Sequence, residues 1–202
     1  MTRYARFLVA GCILIGMPLL CATGCSWDEL FVPQELLQNG SFSEGGVNWG
    51  VVGDFWVGAN PSSFPDYRTQ PGYAMGGVDL SGRPKNTAEG MLYQVITIPG
   101  GATRLTVSFW HNITSEEPRD TAPLDRMLIV LVDATGTEIV GLIGELSNTA
   151  QTYRGDYRFV TQTVPLNPGL PGQSVRFAFV VWTDETRPTV FRIDDVSLKW
   201  EN

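Results

Sequence analysis

The sequence predicts an all-β domain, an antiparallel β-sandwich with jelly-roll topology. Apolar residues come in short β-branched or aromatic runs, separated throughout by Gly and Pro, and no stretch sustains the period of a long helix. In the Ser174–Thr183 segment a period of two assigns faces: Val175, Phe177, Phe179 and Val181 on the core side, Arg176, Ala178, Val180 and Trp182 on the other. A run of such strands with no helix to cover it must bury its faces by folding sheet on sheet.

Residues 1–24 read as an export leader. Arg3 and Arg6 precede an apolar run from Phe7 to Leu20, short for a membrane span but right for the core of a signal peptide. The run ends in Leu20-Cys21-Ala22-Thr23-Gly24-Cys25, which fits either a signal peptidase site or a bacterial lipobox ending at Cys25, although the lipobox position usually held by Leu is Ala22 here. With Cys12 and Cys21 in the leader, Cys25 is the sole cysteine of the remainder, so no intrachain disulfide forms there. A free exported thiol is chemically awkward, which favours acylation of Cys25 and membrane attachment through that lipid. Residues 25–35 read as a tether, and residues 36–202 as one domain, long enough to bury a core of its own.

Within the domain, strands are expected at Gly90–Ile98, Arg104–Asn112, Arg126–Asp133, Glu138–Ile143, Arg158–Leu166, Ser174–Thr183 and Thr189–Trp200. Fainter ones lie at Asn48–Val57 and Tyr73–Val78. Pro99-Gly100-Gly101 and Asp133-Ala134-Thr135-Gly136 are turns, the second closing a hairpin between two strongly apolar strands. In the Arg104 strand, Leu105, Val107, Phe109 and His111 share one side, while Thr106, Ser108, Trp110 and Asn112 share the other.

Charge narrows the partners. The formal net charge is −7, and loss of Arg3 and Arg6 with a cleaved leader takes it to about −9. Nucleic acid is excluded as a partner, and an anionic domain is not drawn to acidic lipid headgroups. The single histidine, His111, removes any metal site needing several imidazoles, and its place beside Phe109 suits an interior or edge residue. No nucleophile-elbow motif is present. Two carboxylate pairs, Glu116-Glu117 and Asp184-Glu185, follow the Arg104 and Ser174 strands and could rim one end of the sandwich, so a glycan-active enzyme stays a third reading.

The aromatic set is the most informative for function. Sugars stack their C–H faces on flat rings and offer hydroxyls to planar polar groups. Trp110 and Trp182 lie on outward sides of their strands, with Asn112 and Arg176 on those same sides. Neighbouring strands would make them one stacking platform; otherwise the rings lie under the long loop between Trp56 and Tyr73, or in a second apolar layer. Trp56, Tyr67 and Tyr73 are further contacts at the sandwich edge.

Taken together, Asn39-Gly40-Ser41-Phe42, Trp49, Leu92-Tyr93-Gln94-Val95, Leu105–Trp110, Gly172–Val175 and the closing Ile193-Asp194-Asp195-Val196-Ser197-Leu198 resemble the galactose-binding-like jelly-roll family. That family includes carbohydrate-binding modules and accessory domains of exported bacterial proteins. The resemblance implies a structural calcium near the junction of the first and last strands, with Asn39, Glu44, Asp194 and Asp195 as the positions that could supply it. The alternative is that one Asp is exposed and the other accepts backbone hydrogen bonds at a bulge. No organic cofactor is implied. The leading expectation is a non-catalytic carbohydrate-binding domain, exported to the cell envelope, with a structural or protein-interaction module as its rival.

Overall fold

A computed structural model describes residues 33–59, 68–69, 71–118 and 122–202. The leader, Cys25 and Tyr67 fall outside these residues. The strands are β1 (Gln34–Glu35), β2 (Gly50–Gly53), β3 (Phe55–Ala59), β4 (Gly72–Gly76), β5 (Glu89–Thr97), β6 (Arg104–Ser115), β7 (Arg126–Val132), β8 (Ile139–Ser147), β9 (Arg158–Pro165), β10 (Ser174–Trp182) and β11 (Thr189–Glu201). They form two antiparallel sheets. Sheet A runs β3-β4-β11-β6-β9, with β1 also on β11, and sheet B runs β2-β5-β10-β7-β8.

Every strand expected from the sequence is present within a few residues, and the Asn48–Val57 segment divides into two strands in different sheets. Gln34 and Glu35, expected in the tether, instead pair with Trp200 and Lys199. A two-residue strand carries no periodicity to read. It is held by the Glu35 carboxylate, which accepts the Leu36, Leu37 and Leu198 amides at 3.1, 3.0 and 2.9 Å.

Alternation does the packing. Leu105, Val107 and Phe109 of β6 meet Val175, Phe177, Phe179 and Val181 of β10 between the sheets, all buried. Phe109 stands edge-on to Phe179 at 5.3 Å, and Phe177 stands edge-on to the same ring at 5.3 Å, an arrangement that favours aromatic quadrupoles. His111 is in this interior row at 4% exposure. Its Nδ1 makes no hydrogen bond among the described residues, so it is interior as expected but not satisfied.

The two ends of the domain meet in one place. The β6–β11 register shifts between Asp194 and Ser197, and Asp195 takes a left-handed φ of 50° there. The Val196 amide turns away from the ladder and donates to Gly40 O at 2.9 Å. This is the physical tie between the Asn-Gly segment and the Asp-Asp segment.

Candidate functional site

The backbone registers divide the expected platform. Trp110 is on β6 in sheet A and Trp182 on β10 in sheet B, so the strands are not neighbours and the rings look out from opposite faces. Periodicity reports which side of a strand a residue occupies but not which strand stands beside it.

On sheet A the polar handles are in use. Asn112 is fully buried, and its Nδ2 donates to Thr152 Oγ1 at 2.6 Å, Tyr153 O at 2.7 Å and Asp156 O at 3.2 Å. It staples the loop before β9 rather than facing a ligand. Trp110 is half-buried between Phe159, 5.2 Å away, and the Arg68 guanidinium, 3.7 Å over its ring. Tyr73 is fully buried, with half-buried Trp56 packed on it at 5.6 Å. Tyr73 is therefore a core residue of this face and not a contact at its edge.

The Asp194-Asp195 pair lies on the same side. Asp194 is buried and accepts two amides, from Thr69 to Oδ2 and from Asp195 to Oδ1, each at 2.8 Å. Burial, with the nearby Asp195 charge, pushes its carboxyl up to about 7 despite those bonds. Asp195 Oδ2 is ion-paired to Arg68 and accepts the Thr69 hydroxyl at 2.7 Å. Asn39 works elsewhere: its Nδ2 donates to Gly45 O and Val47 O at 3.0 and 2.9 Å, and its Oδ1 accepts the Glu44 amide at 3.1 Å. The Glu44 side chain is exposed.

These four residues do not fit a calcium ion as they are arranged. The Asp194 and Asp195 carboxylates are compensated by a guanidinium, a hydroxyl and amides, Glu44 points to solvent, and the Asn39 amide already bonds the two loop carbonyls. No group of three or more His, Cys, Asp or Glu that could hold a metal occurs among the described residues. We expect the melting temperature to be the same in excess calcium and in chelator; a rise of several degrees with calcium would show that Arg68 yields to the ion.

One member of each loop carboxylate pair, Glu117 and Asp184, meets the other at one end of the sandwich. The Thr186 hydroxyl contacts both Glu117 Oε1 and Asp184 Oδ1, the latter at 2.7 Å. Buried Asp125, unremarked in the sequence, joins them by accepting the Asp184 amide at 2.9 Å and the Thr189 hydroxyl. Burial holds its carboxyl above the ordinary range. Glycoside hydrolysis needs a sugar between two acids, and here Thr186 occupies that position.

Sheet B offers an open surface. Registers across β5, β10 and β7 place Glu89, Trp182 and Arg126 in one outward row. Trp182 is 52% exposed. Arg126 is ion-paired to Glu145 at 3.2 Å, whereas the Glu89 carboxylate has no partner among the described residues. The next rows are apolar: Val52, Met91, Val180 and Leu128, then Tyr93, Ala178 and Val130. A groove of about 440 Å³ lies over Met91 and Val180 of the first of these rows, between Val52 on one side and Gly136, Thr137 and Ile139 on the other. A second recess of about 490 Å³, lined by Gln38, Asn48, Tyr93 and Val95, continues along β5 past Tyr93.

The wall of the groove is the β7–β8 hairpin. The Asp133 carboxylate accepts the Thr135 hydroxyl and the Gly136, Thr137 and Glu138 amides, which holds it below the usual carboxylate range. Gly136 has a φ of 86°, and a Cβ on it would come within 2.2 Å of Arg176 Nη1. Glycine thus lets the turn close onto Arg176, whose guanidinium lies 4.6 Å over the Tyr93 ring. Of the expected ligand contacts among the described residues, Trp182 alone is exposed. Glu89, Met91 and Tyr93 join it only through strand pairing, which one-strand alternation does not reveal.

No protein-family model matches the chain, and no curated protein does. Solved structures do. The carbohydrate-binding module TmCBM61, in complex with β-1,4-galactotriose, aligns with 83% of this chain and 99% of its own at 16% identity and a TM-score of 0.53. The K3 cleaved adhesin domain of Lys-gingipain from Porphyromonas gingivalis aligns with 83% and 99% at 18% identity and 0.52. The apo form of a cyclase from Fischerella sp. aligns with 84% and 97% at 13% identity and 0.55. At these identities the shared property is the fold, an all-β sandwich.

Proposed function

We propose that this sandwich is a non-catalytic glycan-recognition domain, with the outer face of sheet B as its binding face. One observation carries the reading: an exposed Trp182 ring sits in a row with a carboxylate and a guanidinium, beside a groove of about 440 Å³. The ring supplies stacking, and Glu89 and Arg126 supply acceptor and donor. The fold shared with a module solved on a galactotriose supports the same class of ligand. Thr186 between the two loop acids supports the absence of catalysis.

Affinity electrophoresis on a panel of polysaccharides tests it. Trp182→Ala should weaken retention about tenfold or more, and Trp110→Ala, beneath Arg68, should leave it unchanged. Failure of the intact protein to bind any glycan would sink the reading. The rival, a protein-interaction module, draws on the exposed Val95, Ile139 and Leu142 of the same face, which a protein partner would bury.

The domain is further proposed to be exported and held at the membrane by a lipid on Cys25. The support is the Arg3 and Arg6 start, the Phe7–Leu20 run and the isolated cysteine. Incorporation of labelled palmitate that survives Cys25→Ser would rule this out.

A further inference from the structure

The groove beside Trp182 is chemically unlike a surface made for hydroxyl-rich sugar alone. Along β5 and β10 the next outward residues after Glu89 and Trp182 are Met91 and Val180, about 7 Å further on. Val52, Val132 and Ile139 extend this aliphatic floor, with Thr137 on the wall as the one hydroxyl-bearing lining residue among those described. Hydroxyls pressed onto such a floor lose water and gain no partner. Among the described residues the only charged one lining the groove is Glu89, and its carboxylate accepts hydrogen bonds without donating any. A fitting sugar therefore carries a donor beside the ring that stacks on Trp182 and an apolar end within reach of the next row.

An acetamido group meets both demands, because its N–H and its methyl are fixed on one planar amide. Resting on the glycan reading of this face, we propose that the groove selects glycans bearing acetamido sugars, with the pyranose face on Trp182, the amide N–H donated to Glu89, and the acetyl methyl on Met91 and Val180. A free amine would satisfy Glu89 and leave the aliphatic floor empty. A hydroxyl at the same carbon would satisfy Glu89 and leave the floor against water.

Three trisaccharides with one β-1,4-glucan backbone separate these cases by titration calorimetry: triacetylchitotriose, chitotriose and cellotriose. The acetylated form should bind about tenfold more tightly than either other, the scale of one well-placed methyl in an apolar pocket. Met91→Gln, confirmed folded by its melting curve, should bring the three near parity. Cellotriose binding as tightly as the acetylated sugar overturns the selectivity and leaves the glycan reading intact. Tighter binding of chitotriose overturns the role of the methyl, since charge alone then decides. If none of the three binds, the acetamido assignment falls, and Trp182-dependent retention on the wider polysaccharide panel decides the glycan reading separately.

Discussion

Gly40→Ala should destabilise the domain by about 3 kcal/mol or more, a loss read directly from urea unfolding. A Cβ at this position would stand 1.8 Å from the Val196 carbonyl oxygen, a backbone atom that cannot swing aside as a side chain does. The two segments can separate only by breaking the bond from the Val196 amide to Gly40 O. They also frame the bulge at which Asp195 adopts its left-handed conformation, so the disturbance reaches the Asp194 and Arg68 contacts. A melting temperature within a degree or two of the unaltered protein would show that the close approach is not required.

The second large effect is on pH. Burial first, and the Arg158 charge second, lower the His111 imidazole to about 4 from an ordinary 6.5. Between those values the unfolded chain binds more protons than the native one, so stability from this residue is lost as pH falls through the window. Asp194 has the opposite sign. Its carboxyl is raised from 3.8 to about 7, the native state holds the extra proton, and stability is lost as pH rises between those values. Asp125, also raised by burial, adds to the Asp194 slope.

The contributions are on the order of 3 kcal/mol for His111 and about 4 kcal/mol for Asp194 across their windows, and they oppose one another from about pH 4 to 6.5. The intact domain should therefore show a shallow profile there. His111→Leu should expose the acid-group slope, with stability declining from pH 4 to 7. A variant that becomes more stable over that rise would refute the assignment of the opposing slopes.

The strands were legible because each buries one face, and a buried face writes period two into Val175, Phe177, Phe179 and Val181. The hairpin at Asp133 was legible for a local reason too, since its turn chemistry lies in consecutive residues. The proposed binding face was not, because a site on a sheet is a row across strands. Glu89 and Trp182 are opposite one another but far apart in sequence, and nothing in either segment states the pairing. The same limit explains Trp110: its outward position was readable, while the Arg68 guanidinium above it comes from a distant loop. The Asp-Asp segment was read as an ion site or as a bulge with a buried acceptor. Buried Asp194 takes the second part, and Asp195 is compensated from within the chain.

The outward rings on opposite sheets have one more consequence. Among the described residues Trp110 is capped on one side and Trp182 is the exposed tryptophan, so a polymer would meet one open ring there, and one stacked ring sustains only modest affinity. Firm attachment to a repeating ligand would then depend on avidity: the local density of chains sets the effective concentration for each successive contact, and release becomes a collective event.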